Sequence, residues 1–164
     1  MTEVTGPAPI AIPVHFLADT APLHTADASA AVIVVDGGTY LMQQRDDIPG
    51  IFYPGHWGCF GGKIDPGETP LAALRRELAE EIELDPADCR EFIRLDFDLS
   101  RLTGRTISRT YYEVRVDVAT AARLVLHEGR TMQALRPAQL FDGRPLSPFD
   151  SFALWLHVAR HRLR

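Results

Sequence analysis

Cysteine is scarce in this chain: Cys59 and Cys89 are the only two among 164 residues. Two cysteines with no metal-ligand spacing around them make neither a disulfide framework nor a metal site, and Cys59 reads as a small apolar filler more readily than as a reactive thiol. Long hydrophobic runs are missing too. Nothing approaches the roughly 20 residues of a membrane span, so no membrane partner is expected. Basic charge is in deficit, with 17 Lys and Arg against 22 Asp and Glu and a formal net charge of -5. Nucleic-acid binding normally needs a basic face, which argues against a nucleic-acid partner. Met1–Pro13 lacks the basic start and apolar centre of a signal peptide, and a cytoplasmic protein is the expectation. There is no internal repeat and no clear linker.

What remains is ordinary for a globular chain: 46% hydrophobic and 24% charged residues, in a length that suits one domain with a substantial core. Residues 1–28, with Pro7, Pro9, Pro13 and Pro22, read as an N-terminal extension, with a short strand around Ile10–Phe16. Residues 29–164 read as the domain proper. Ser29–Val35 is a compact apolar run rich in β-branched residues, hence a buried strand. Asp36-Gly37-Gly38 turns the chain into a second strand, Thr39–Arg45. Asp46–Trp57 carries Pro49, Gly50, Pro54 and Gly55 and is expected to be a loop displaying Phe52, Tyr53, His56 and Trp57.

Pro70–Glu83 is the clearest helix. Thr69 suits the N-cap and Pro70 the first helical position; Leu71, Leu74, Leu78 and Ile82 form one apolar stripe. Glu91–Leu99 and Thr106–Asp117 read as strands flanking a polar, basic loop at Arg101–Arg105. Ala119–Leu124 suits a short helix, Thr131–Leu135 a last strand, Pro137–Phe141 a turn or short helix, and Ser147–Leu163 a C-terminal helix. Mixed elements in this order indicate an α+β or α/β sandwich.

The chemistry is concentrated in Gly61-Gly62-Lys63-Ile64-Asp65-Pro66-Gly67-Glu68-Thr69-Pro70 and in Arg76-Glu77-Leu78-Ala79-Glu80-Glu81. Glu77, Glu80 and Glu81 stand at i, i+3 and i+4. At about 100° per residue, Glu80 and Glu81 flank Glu77 on one helix edge. Like charges so placed repel, an arrangement that makes sense with a divalent cation among them; hard oxygen donors suit magnesium or manganese. The glycines permit a tight loop and close backbone approach to a ligand. Taken alone, three glutamates on a helix are more often a solvated acidic face. It is the spacing of the whole stretch that reverses those odds.

That spacing resembles the Nudix box, G-x5-E-x7-R-E-U-x-E-E-x-G-U with U a bulky aliphatic residue. Gly62, Glu68, Arg76-Glu77, Leu78, Glu80-Glu81 and Leu84 fill its positions across residues 62–84. Glu83 departs, standing where the family has a helix-terminating glycine. The resemblance implies a Nudix-type α/β/α sandwich with a mixed sheet in a single domain, and a hydrolase that cleaves a phosphoanhydride bond in a nucleoside diphosphate derivative. It implies Mg2+ as cofactor (Mn2+ as substitute), with Glu77, Glu80, Glu81 and the backbone carbonyl of Gly61 as ligands. Gly62, Glu68 and Arg76 take structural roles, Glu68 and Arg76 by holding the loop against the helix.

Water would attack phosphorus with a carboxylate as general base. Glu77 and Glu80 are candidates inside the box, and Glu113, His127 and Glu128 outside it, each of the latter three more often a surface residue. Arg45 and Lys63 are candidate phosphate contacts, as are Arg101 and Arg105; Phe52 and Trp57, with Tyr53 and Phe60, are candidate stacking surfaces. The expected substrate is a nucleoside triphosphate, an oxidised one such as 8-oxo-dGTP included, or a nucleotide sugar. Rival readings are a non-hydrolytic Nudix-fold binding or regulatory module, and an isoprenoid-diphosphate isomerase using Cys59 with His15, His24 and His56. Phe152, Trp155 and Leu156 on the last helix, with the N-terminal extension, are candidates for a homodimer interface; packing within one chain explains them equally well.

Overall fold

The computed structural model describes residues 27–162; the strand anticipated at Ile10–Phe16 lies outside the described residues. Strand β1, Ala28–Val35, is the centre of the sheet. It pairs along its whole length with β5, Arg105–Val116, in parallel, and at Ile33–Val35 with β2, Thr39–Gln44, antiparallel. A strand flanked by neighbours and covered on both faces is apolar throughout rather than alternating, which is why β1 reads as one hydrophobic run. β5 pairs antiparallel with β4, Cys89–Leu99, and β2 also pairs with β3, Trp57–Gly58, and β6, Thr131–Leu135. The result is a six-stranded mixed sheet.

Alternate residues of β1 serve two cores. Ala31, Ile33 and Val35 join Leu74, Leu78 and Ile82 of helix α1, Pro70–Ile82, together with Tyr112, Val114 and Phe60. Ala30 and Val32 join Tyr40, Met42, Tyr111 and Leu135, capped by Leu140 of α4, Pro137–Leu140, and by Ala153 and Leu154 of α5, Pro148–Ala159. Helices on both faces of the sheet make the expected α/β/α sandwich.

Several boundaries differ from the sequence expectation. Trp57 leaves the loop to form β3, because Gly58 and Trp57 meet the backbone of Gln43 and Gln44. The supposed basic loop begins as a single helical turn, α2, Ser100–Thr103, closed by Gly104 at φ 71°, and β5 starts at Arg105. Asp117 caps α3, Val118–Ala121, earlier than expected, by accepting from the Thr120 N–H at 2.7 Å. Helix α5 stops at Ala159 and tightens into a 3-10 turn over Arg160–Arg162. Phe152 and Trp155 are stacked and half exposed on α5.

Two features position the site. At its N-terminal half, β1 is bordered not by β2 but by residues 60–63: Ala31 donates to the Phe60 carbonyl at 2.8 Å and Ser29 to that of Gly62 at 3.0 Å. The glycine-rich segment is thereby fixed to the central strand. Thr69 then starts α1, its hydroxyl accepting from the Ala72 N–H at 3.2 Å, and α1 packs on β1 directly behind that segment.

Candidate active site

The glycines are required by their surroundings. A side chain on Gly61 would place Cβ 2.3 Å from the Ser29 carbonyl oxygen, and its φ of 125° disfavours any other residue. Gly62 lies against Glu77: a Cβ there would fall 2.5 Å from the Glu77 carboxyl carbon. Close contact between the loop and α1 thus depends on two absent side chains.

Arg76 binds this loop to the helix. Its Nε and Nη2 donate to the two Glu68 carboxylate oxygens, both at 3.0 Å, and Nη2 also reaches the Lys63 carbonyl at 3.0 Å. A bidentate guanidinium–carboxylate pair fixes orientation as well as distance. Hydrogen bonding to Arg76 holds the Glu68 carboxyl below its usual range, and the same bond raises the Arg76 pKa further. Arg76 Nη1 continues to Glu77 at 2.7 Å and Glu80 at 3.3 Å.

The three box glutamates occupy different environments. Glu81 is buried; its Oε2 accepts from the Gly61 N–H at 2.9 Å and its Oε1 from Gln43 at 3.5 Å. Burial pushes its carboxyl up to about 7, the Gly61 bond pulls the other way, and the negative charges of Glu128 and Glu77 add to the rise. Glu77 is largely buried beside Gly62, whereas Glu80 is exposed on the outer edge with Arg76. Glu77, Glu81 and Glu128 line a cleft of about 1100 Å3, and Glu80 is not in its lining.

Arg45, Phe52, Lys63 and Gly61 also line the cleft. Trp57, anticipated as a stacking surface, does not: its ring packs with the second core and lies under the Arg144 guanidinium, 5.2 Å from the ring centroid. Phe60, considered alongside it, is fully buried in the first core. Glu113 is also elsewhere, held by Arg115 at 2.7 Å, by His157 at 2.7 Å and by Arg160. Glu113 is not in the lining of this cleft. Cys59 is buried and its thiol is pushed up by burial, as suits a filler.

Three cleft residues, Arg109, Phe149 and Asp150, were not tied to the site by the sequence. Asp150, buried at the start of α5, accepts from Arg109 at 2.9 Å and Tyr111 at 3.0 Å through Oδ1, and from the Cys59 N–H at 3.1 Å through Oδ2. Burial opposes the Arg109 charge, but Asp150 more than compensates and keeps it protonated. The buried Arg109 Nε–H has no partner among the described residues. Phe149 lies beside Arg109 and makes edge contacts with Phe97 and Tyr53, which adopts φ 52°. A proline followed by an acidic residue at a helix start is a weak hint; nothing in the sequence links residue 109 to residue 150.

Glu83 ends α1 in the left-handed region, φ 55° and ψ 33°, and its N–H returns to the Ala79 carbonyl. That conformation costs a non-glycine residue about 1 kcal/mol. Its carboxylate accepts from His127 Nε2 at 2.7 Å.

The NUDIX domain profile matches residues 25–150. A Mycobacterium tuberculosis protein provisionally named 8-oxo-dGTP diphosphatase 2 is 44% identical over 78 residues, covering 48% of this chain and 53% of that protein. A nucleoside triphosphatase NudI of Enterobacter is 44% identical over 50 residues, covering 30% of this chain and 35% of its own length. The matches therefore span about half or less of these curated relatives. Among solved structures, the E. coli ORF135 protein superposes with a TM-score of 0.66 at 27% identity, over 88% of this chain and 98% of its own.

Proposed function

This chain belongs to the NUDIX domain family, and from that premise we propose that it is a hydrolase cleaving a phosphoanhydride bond in a nucleoside triphosphate, with magnesium as cofactor. The observation that carries the reading is the buried Glu81, tied to the Gly61 N–H and sharing the cleft with Glu77 and Glu128. Burying a carboxylate among carboxylates is unfavourable without a compensating cation.

The donor set fits such a cation. Carboxylate and carbonyl oxygens are the hard ligands that magnesium takes. Among the described residues no three acidic, histidine or cysteine side chains converge as a closed cage. An octahedral ion that keeps its waters and shares substrate phosphates uses only one or two protein carboxylates. Glu77, Glu81 and the Gly61 carbonyl would hold it, with Glu80, outside the cleft lining, as a further candidate ligand. Bound there, the ion neutralises phosphate oxygens and lowers the pKa of water.

The chain's own residues supply the rest. Lys63 and Arg45, at the cleft, contact phosphates. Phe52, Tyr53 and Phe149 offer aromatic faces for a base. Glu128, in the cleft but outside the helix, accepts the proton of the attacking water. The names of the mycobacterial and enterobacterial relatives support a nucleoside triphosphate as substrate, an oxidised purine nucleotide included.

The test is release of phosphate or pyrophosphate from nucleoside triphosphates, nucleotide sugars and dinucleotides, with and without magnesium, using wild type and the Glu80→Gln and Glu81→Gln variants. Magnesium-dependent turnover that falls at least about 100-fold in Glu81→Gln agrees with the proposal. Folded protein that binds nucleotides but turns none over would replace it with a binding module.

A further inference from the structure

On the hydrolase reading, Glu128 needs a fixed place in the cleft, yet it sits in a connector with little regular structure, between α3 and β6. Two sets of contacts hold this connector. On the β2 side, the Arg130 N–H donates to the Gln44 carbonyl at 2.8 Å. Gly129, at φ 95°, passes so close that a Cβ would lie 2.9 Å from Gln43 Oε1 and 3.0 Å from the Gln44 carbonyl oxygen. On the α1 side, the His127 N–H donates to the Glu81 carbonyl at 2.8 Å, and the His127 ring donates to Glu83 at 2.7 Å.

Glu128 is therefore suspended between a strand clamp and a helix clamp. Among the described residues, the side chain of α1 or its cap that bonds to His127 is Glu83. It stands at the position where the resemblance calls for glycine, and a glycine has no side chain to make this bond. We propose that Glu83 is a positioning residue: by holding His127 it latches the connector to the end of α1 and keeps Glu128 facing the cleft beside Glu81. The left-handed strain at Glu83 is what the chain tolerates to keep this contact.

Glycine at this position separates the latch from the fold, because it suits φ 55° better than glutamate does. In Glu83→Gly, thermal stability should hold or rise, while kcat falls about three-fold with KM nearly unchanged, the scale of an exposed pair. Glu83→Gln, whose amide oxygen can still accept from His127, should retain most of the rate. In a Glu128→Gln background, Glu83→Gly should cause no further loss.

Amide hydrogen exchange gives a readout independent of turnover: the His127 to Arg130 amides should exchange about three-fold faster in Glu83→Gly than in wild type, with α1 itself unaffected. Wild-type kcat in Glu83→Gly, an equal loss with and without Glu128, or unchanged exchange at 127–130 would each overturn the latch. Altered exchange in a chain that hydrolyses no nucleotide would uphold the latch and reject the hydrolase reading instead.

Discussion

Replacing Gly62 by alanine tests how the cleft is built. The new Cβ would lie 2.5 Å from the Glu77 carboxyl carbon and 2.6 Å from both carboxylate oxygens, where ordinary contacts begin at 3.4 Å. The carboxylate must therefore retreat by about 0.8–0.9 Å. It is the far end of a flexible side chain, so the fold can absorb the change at a cost of about 1 kcal/mol, a shift of roughly 2–4 °C in Tm. On the proposed function turnover should not absorb it so cheaply, since a displacement near 1 Å at a positioned group costs on the order of 100-fold in rate. Gly61→Ala is the contrast. Its Cβ would strike backbone, 2.3 Å from the Ser29 oxygen and 2.8 Å from the Ala30 Cα, with φ already at 125°. Central strand and loop must part, so stability itself should fall by several kcal/mol. Thermal denaturation and magnesium-dependent turnover, measured side by side on both variants, decide the matter. A Gly62→Ala enzyme with wild-type kcat/KM, or one that melts as low as Gly61→Ala, would refute the assignment of Gly62 as the seat of the Glu77 carboxylate.

Other substitutions probe the remaining parts of the sandwich. Asp150→Ala leaves the guanidinium of Arg109 buried without its counter-charge and should cost about 3–5 kcal/mol, visible as a lower urea midpoint. Leu78→Ala removes a fully buried side chain between α1 and the sheet and should cost about 2–5 kcal/mol in the same assay. Glu113 contributes to the acid limb of stability. Burial works to raise its pKa, but bonds from Arg160, His157 and Arg115 override that and bring it to about 2, below the ordinary 4.5. A depressed folded pKa means its contribution is full above pH 4.5 and is lost as pH falls from there toward 2. Unfolding curves between pH 2 and 6 should therefore slope less steeply for Glu113→Gln than for wild type, and identical slopes would contradict the arrangement.

The elements legible in the sequence are those whose cause is local. Thr69-Pro70 caps α1 through an oxygen three residues from its donor, and the stripe Leu74, Leu78, Ile82 announces its buried face. β1 is apolar because it is central, a consequence of tertiary position that leaves a local trace. β3 left no such trace: two residues, Trp57 and Gly58, become a strand only because Gln43 and Gln44 lie beside them. The end of α5 was overrun for a related reason, since the switch to a 3-10 turn at Arg160 brings that side chain to Glu113, 47 residues earlier.

The same distinction separates the two halves of the cleft. Apart from Glu128, which comes from a separate connector, the acidic half lies on one loop and one helix, so the resemblance of that contiguous stretch brings Gly62, Glu68, Arg76 and Glu77 into view. The half containing Arg109, Phe149 and Asp150 is assembled across the sheet. Arg109 belongs to a strand and Asp150 to a helix start 41 residues later, and each has an unremarkable local pattern. A buried ion pair of this kind becomes visible only when the fold removes both charges from water together. Catalytic chemistry shared by a family can be written in a contiguous motif, because one helix edge is enough to hold it. On the proposed function, discrimination among nucleotides needs a second wall facing the first, and here that wall comes from distant chain segments. This is why the sequence resembles a family through its acidic loop and helix and carries no comparable pattern for the facing wall.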